Sequence, residues 1–127
     1  MSEAMPTVLI VEDNSLNLEL ATDLLEACGI GVIAANSGEL AIKLAYEKKP
    51  DLILMDLSLP GMDGLQATAA LKRDPKTRFI PIVAVTAHAM KGDEQRALAA
   101  GCEGYITKPI DTRMFPTLVA EYLRRAA

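Results

Sequence analysis

Apolar residues fall along this chain in two alternating textures, and the alternation repeats five times. Residues 7–11 (TVLIV), 31–35 (GVIAA), 52–55 (LILM), 80–85 (IPIVAV) and 104–107 (GYIT) are short β-type runs. They are too short for helices, and the near-continuous apolar ones suit strands covered on both faces. Between them lie segments of helical spacing. Leucines at 16, 20 and 24 recur at i, i+4 from Ser15 to Cys28, with Asn14 or Ser15 as N-cap and Gly29 just past the end. Ser37 caps a second helix reaching about Lys48, closed by Lys48, Lys49 and Pro50. A third runs from about Leu65 to Arg73 and stops at Asp74-Pro75, a fourth from about Lys91 to Ala100. The last begins near Asp111 or Thr112 and runs to about Arg125, with Pro116 in its first turn, where a missing N–H costs little.

Strictly alternating strands and helices predict right-handed βαβ crossovers, hence an α/β doubly wound (βα)5 sandwich with helices on both faces of a parallel sheet. No repeat, low-complexity tract or linker interrupts the pattern. Its 127 residues fit one domain, 1–127, with nothing left over for an output domain.

Composition narrows the function. Half of the residues are hydrophobic and 24% are charged, as in ordinary globular proteins, and the net charge of -4 argues against a nucleic-acid footprint. Cys28 and Cys102 are too few for a disulfide framework and read as reduced structural thiols in a cytoplasmic protein. The polar start MSEAMPT has no basic n-region, and every apolar run is strand-sized, so neither a signal peptide nor a membrane span is expected.

The informative feature lies where four of the runs stop. VLIVED ends in Glu12 and Asp13, LILMD in Asp56, IVAVT in Thr86, and GYITKP in Lys108 and Pro109. In a parallel sheet the carboxyl ends of the strands share one edge, so these distant residues would meet in a single crevice. Three carboxylates within about 4 Å repel by on the order of 4 kcal/mol per pair at an effective dielectric near 20, so such a cluster needs a cation or raised pKa values. An all-oxygen set suits a hard divalent ion, most naturally Mg²⁺, with Asp13 and Asp56 as direct ligands and Glu12 direct or through water. Mg²⁺, an ammonium and a hydroxyl together suit a phosphoryl group in transfer. Asp56, which opens the Gly-Pro-rich stretch DLSLPGMDG, is the candidate nucleophile, with Lys108 pairing the phosphate and Thr86 donating to it. Singly, each residue is ordinary: strand-end Asp and Asn are turn and cap residues, and Thr is a β-former. The weight rests on their joint placement.

The blocks VLIVEDN, LILMDLSLPGMDG, VAVTAHA and YITKPI resemble the receiver domain of two-component response regulators, over residues 6–125. Within that family VEDNSLNLEL, DLLEACG, TAHAMKGDE and GCEGYITKPI are most similar to a single-domain member. The resemblance implies a flavodoxin-like strand order 2-1-3-4-5, Asp56 as phosphoacceptor, and Glu12 and Asp13 as the acidic pair holding Mg²⁺. It further implies the backbone carbonyl of Ser58 as a metal ligand, Thr86 and Tyr105 as a switch pair, and a cis peptide before Pro109. His88 is read as a loop residue that shapes phosphate lifetime, in preference to a general base.

On this reading the donor is a histidine kinase or phosphotransfer protein, and the only chemistry is self-catalysed phosphotransfer and autodephosphorylation. The signal leaves by binding downstream proteins through the fourth helix, fifth strand and fifth helix, in a monomer or a phosphorylation-linked dimer. Gly92 weakens the start of that fourth helix by about 1 kcal/mol relative to Ala. Two rivals are an aspartyl-phosphate phosphohydrolase and a phosphorylation-independent interaction module. The first would want an acid where Ser58 stands, together with a cap domain; the second would not need the pocket intact.

Overall fold

A computed structural model describes residues 5–57, 64–86, 93–108 and 110–126, with the side chains of Asp93 and Ala126 left aside. Ser58, His88, Gly92 and Pro109 lie outside the described residues, so the expectations attached to them have no structural counterpart below.

Five strands, β1 (Thr7–Val11), β2 (Gly31–Ala35), β3 (Leu52–Asp56), β4 (Ile82–Thr86) and β5 (Gly104–Thr107), alternate with five helices. The helices are α1 (Ser15–Glu26), α2 (Gly38–Lys48), α3 (Gly64–Arg73), α4 (Asp93–Ala100) and α5 (Phe115–Ala126). All strand pairs are parallel, in the order β2-β1-β3-β4-β5, which is the doubly wound arrangement expected. Burial follows position in the sheet. The runs LILMD and IVAVT are buried at every residue, whereas the edge strand β2 buries only Ala35.

Alternation of side chains across the sheet divides the core in two. Val8, Ile10, Leu52, Leu54, Val83, Val85 and Ile106 meet Ala21 and Leu25 of α1 and Phe115 and Val119 of α5. On the other face Leu9, Val11, Ile53, Met55, Ile82 and Ala84 meet Ala41 and Ala45 of α2, Ala67 and Leu71 of α3, and Ala97 of α4. A fully buried aliphatic side chain stabilises by about 1.5–3 kcal/mol, so these two layers hold the fold. No helix among the described residues is long and apolar enough to cross a membrane.

Three details differ from the sequence reading. Helix α1 lies where leucine spacing placed it, but Leu16 and Leu20 are 74% and 41% exposed, and Ala21 and Leu25 face the sheet. The fourth strand begins at Ile82, two residues later than the apolar run, because Pro81 has no N–H for the ladder; its carbonyl still accepts from Ile53 N–H at 2.9 Å. Helix α5 starts at Phe115 after a turn in which the Asp111 side chain accepts from the backbone N–H groups of Arg113 and Met114. The thiols are free, Cys28 exposed and Cys102 buried.

One glycine fixes the approach of α3 to the sheet. A Cβ at Gly64 would press on the Asp56 carbonyl oxygen and come within 2.9 Å of Leu57 Cα, both backbone atoms that cannot swing aside. Gly64→Ala is expected to lower unfolding free energy by about 1–3 kcal/mol, the cost of overpacking. Urea denaturation checks this, and an unchanged midpoint would contradict the close approach.

Candidate functional site

The site grows from the ends of β1, β3, β4 and β5. Glu12 prolongs β1 by one hydrogen bond, its N–H donating to Ala35 O at 2.9 Å. The chain then turns into α1 through Asn14, whose Oδ1 accepts from the N–H groups of Leu16 and Asn17 at 3.0 Å each. Asp56 is the last residue of β3, and Thr86 of β4; each is only 2% exposed. Lys108 follows β5 directly, its N–H donating to Thr86 O at 2.7 Å.

Side-chain parity separates these residues into two groups. Glu12 and Asp56 continue the register of Ile10 and Leu54, on the α1/α5 face. Thr86 continues that of Ala84, on the face covered by α2, α3 and α4, and the half-buried Tyr105 packs on the same face. Because Ala84 pairs with Tyr105 and Thr86 with Thr107, Thr86 and Tyr105 are diagonal neighbours. The expected switch pair thus shares a face, and Glu12 and Asp56 occupy the other side of the same sheet edge.

Glu12, Asp13 and Asp56 each offer a carboxylate oxygen, and these oxygens lie within 4.8 Å of one another. Glu12 is 6% exposed, whereas Asp13 is open to solvent. Lys108 enters the cluster as its counter-charge, Nζ donating to Glu12 Oε1 at 2.6 Å and to Asp56 Oδ2 at 3.2 Å. The other Glu12 oxygen accepts from Asn14 N–H at 3.1 Å. Burial pushes the Glu12 carboxyl above its ordinary value and the nearby Asp56 charge adds to this, more than the Lys108 and Asn14 hydrogen bonds pull it down. For Lys108 burial acts to lower the ammonium pKa, but the Glu12 hydrogen bond and the Asp56 and Glu12 charges together outweigh it, and the pKa rises. The ion pair therefore favours charge on both partners, and for Glu12 alone the cost of leaving water exceeds it.

The sequence reading brought Glu12, Asp13, Asp56, Thr86 and Lys108 to one strand edge, and the structure places all five there. It did not foresee that Lys108 is bonded more closely to Glu12 than to Asp56. The signal available was the crowding of three carboxylates, which calls for a resident cation as much as for a metal. The close approach of Gly64 to the backbone of Asp56 was also unread; a glycine four residues after a proline looks like turn chemistry only. The donor set, three carboxylates with oxygens inside 4.8 Å and one of them open to solvent, fits a hard divalent ion.

Comparison with known proteins agrees with this geometry. The family model described as the response regulator receiver domain matches residues 8–120. The polar-differentiation response regulator DivK of Brucella ovis is 52% identical over 117 residues, 92% of this chain and 95% of the relative. Among solved structures, the receiver domain of the sensor histidine kinase PA1611 from Pseudomonas aeruginosa is 34% identical, with a TM-score of 0.84 and coverage of 96% of this chain and 97% of that one. It is described with a magnesium ion coordinated in its active-site cleft. The chemotaxis protein CheY4 of Vibrio cholerae is 27% identical, with a TM-score of 0.85 over 98% of this chain and 100% of that one. With the family match spanning nearly the whole sheet and the acidic cluster at its expected edge, the chain belongs to the response regulator receiver domain family of two-component signalling.

Proposed function

We propose that the chain is a phosphorylation switch in which Asp56 is the phosphoacceptor. The observation that carries this is the Asp56 carboxylate itself. It is buried at the end of the central strand, 3.2 Å from the Lys108 ammonium and in reach of two further acids. An Asp56 oxygen attacks the phosphorus of a phosphohistidine on a histidine kinase or phosphotransfer protein. A P–O bond forms, the P–N bond breaks, and the histidine nitrogen leaves with the electron pair. Lys108 pairs with the transferred group and Thr86 donates to it.

Asp13, Asp56 and the backbone carbonyl of Ser58 would hold Mg²⁺, with Glu12 direct or through water; when bound, the ion would supply neutralisation of charge on the phosphoryl oxygens. Autodephosphorylation by water resets the switch, and beyond these self-catalysed steps no enzymatic turnover is assigned.

The output is a surface. Thr86 and Tyr105 share the sheet face that α4 covers, so a charge held by Thr86 is registered on the α4 side. The phosphoryl group shifts a pre-existing equilibrium of α4, β5 and α5, and that face binds downstream proteins or a second copy of the chain. A cytoplasmic setting follows from the kinase donor. Donor docking falls to α1, which starts two residues after Asp13 and leaves Leu16 and Leu20 exposed beside the pocket.

Incubation with acetyl phosphate and Mg²⁺ is expected to add one phosphoryl group by intact mass; chelation of the metal or Asp56→Asn should abolish the gain. Retention of the added mass in Asp56→Asn would contradict the assignment. With a beryllofluoride mimic, amide exchange across residues 93–107 is expected to change, and identical protection with and without it would sink the output face. Leu16→Glu should slow transfer from a phosphorylated phosphotransfer protein by about tenfold, the factor that roughly 1.4 kcal/mol of docking energy gives. It should leave the acetyl phosphate reaction unchanged; equal loss in both would assign Leu16 to folding.

A further inference from the structure

The strands are parallel, so at the end of the sheet opposite Asp56, where β4 begins, the C-termini of α2 and α3 come together with the loop 74–81. That loop is pinned by three side chains. Lys72 Nζ donates to Arg78 O at 3.0 Å and to Ile80 O at 2.7 Å. Thr77 Oγ1 donates to Leu71 O at 2.7 Å, and Lys49 Nζ reaches across from α2 to Lys76 O at 3.1 Å. Thr77 is buried, and the turn fixed in this way displays Lys76, Arg78 and Phe79 outward. Phe79 is 66% exposed and lines a groove with Pro81, Glu103, Tyr122 and Arg125. One wall is firm, because Tyr122 lies so close on Gly104 that a Cβ there would have no room.

A lone exposed phenylalanine is ordinary. This one adjoins a concentration of positive charge in a protein whose net charge is -4. Lys48, Lys49, Arg73, Lys76 and Arg78 are all exposed, and the Lys49 and Lys76 ammonium groups sit over the exposed Tyr46 ring at 4.7 and 5.6 Å. Two neighbouring carboxylates are engaged by the backbone, Asp51 by Thr7 N–H at 2.8 Å and Asp74 by Lys76 N–H at 2.9 Å. Helix dipoles account for Lys48 and Arg73, which stand in the last turns of α2 and α3. They do not account for Lys76 and Arg78, which lie past the end of α3, beyond the last turn where that effect is felt.

We propose that this end of the sheet is a docking surface for an acidic polypeptide segment. One apolar side chain of the partner fills the groove beside Phe79, and the carboxylates flanking it meet Lys49, Lys76 and Arg78. Aromatic and arginine side chains are the types that carry most binding energy at interfaces, and a loop pinned beforehand loses little freedom on binding. An anionic membrane fits less well. It sets negative charge against the whole surface, including the exposed Glu47 and the Glu103 carboxylate on the groove. A polypeptide can instead place its acids on the cations and leave Glu103 to a backbone N–H. The five residues of β3 span about 17 Å, roughly twice the screening length of about 8 Å, so the acids around Asp56 do not repel such a partner. Both ends of the sheet can be occupied at once.

The probe is a short peptide with a central tryptophan and three acidic residues on either side, titrated into isotope-labelled protein and followed by amide chemical shifts. Shifts are expected in residues 46–49 and 76–80 and at Glu103. Replacing the tryptophan by alanine, or Phe79→Ser in the protein, should weaken binding by about tenfold, and Lys76→Glu combined with Arg78→Glu by at least as much. A peptide with lysines in place of the acids should not bind. These side chains are exposed, so the thermal midpoint and the acetyl phosphate reaction should stay as in wild type. Should Phe79→Ser lose stability, the charge-reversed pair decides. No shift with the acidic peptide at millimolar concentration, or equal binding of the basic one, would overturn the docking surface. Co-sedimentation with phosphatidylglycerol vesicles without peptide binding would make the occupant a lipid surface. A doubling of mass in light scattering that Phe79→Ser abolishes would make it a second copy of the chain; either result overturns the acidic segment.

Discussion

The site depends on one electrostatic constraint: three carboxylates converge where the strands end, and the fold cannot hold them charged without a cation among them. Lys108 meets that constraint from inside the chain, bridging Glu12 at 2.6 Å and Asp56 at 3.2 Å. At separations of 4–5 Å, like charges cost several kcal/mol even at an effective dielectric near 20. The burial-driven rise in the Glu12 pKa shows that the compensation is only partial. A pocket left short of positive charge has an affinity for more of it, and that residual demand is what the proposed metal ion and phosphoryl group would meet.

The scaffold makes this tension tolerable. Strands β3 and β4, buried along their whole length, place Asp56 and Thr86 at fixed heights on the edge, and the β4–β5 ladder sets Lys108 beside Thr86. Parity then divides the site residues between the two sheet faces. Glu12 and Asp56 continue the side packed by α1 and α5; Thr86 and Tyr105 continue the side packed by α4. The proposed chemistry on one face and the proposed readout on the other would require no long path, because both begin at adjacent strand ends. Gly64, whose missing side chain lets α3 lie on the backbone of Asp56 and Leu57, ties a third element to the same point.

Most of the architecture was legible because it follows from local rules. Apolar runs such as LILMD mark buried parallel strands, and the caps Asn14 and Ser37 mark helix starts where side chains do accept the first N–H groups. What the sequence concealed was tertiary. Leucines 16, 20 and 24 predicted α1 correctly, but the face turned inward is set by packing on β1 and β2, which selects Ala21 and Leu25. Pro81 looked like part of a strand by hydrophobicity and was excluded by its missing donor. The partner of Lys108 could not be chosen from spacing, since Glu12 and Asp56 are equally plausible at one-dimensional distance and differ only in how each side chain reaches the ammonium.

Asp56, and no other acid of the cluster, is the proposed carrier of the phosphoryl group. Borohydride reduction of the phosphorylated protein followed by peptide sequencing tests it directly, because an aspartyl phosphate is converted to homoserine at the position that held it. Homoserine is expected at position 56 alone. Homoserine at position 13, or none anywhere in a protein that has gained phosphoryl mass, would contradict it.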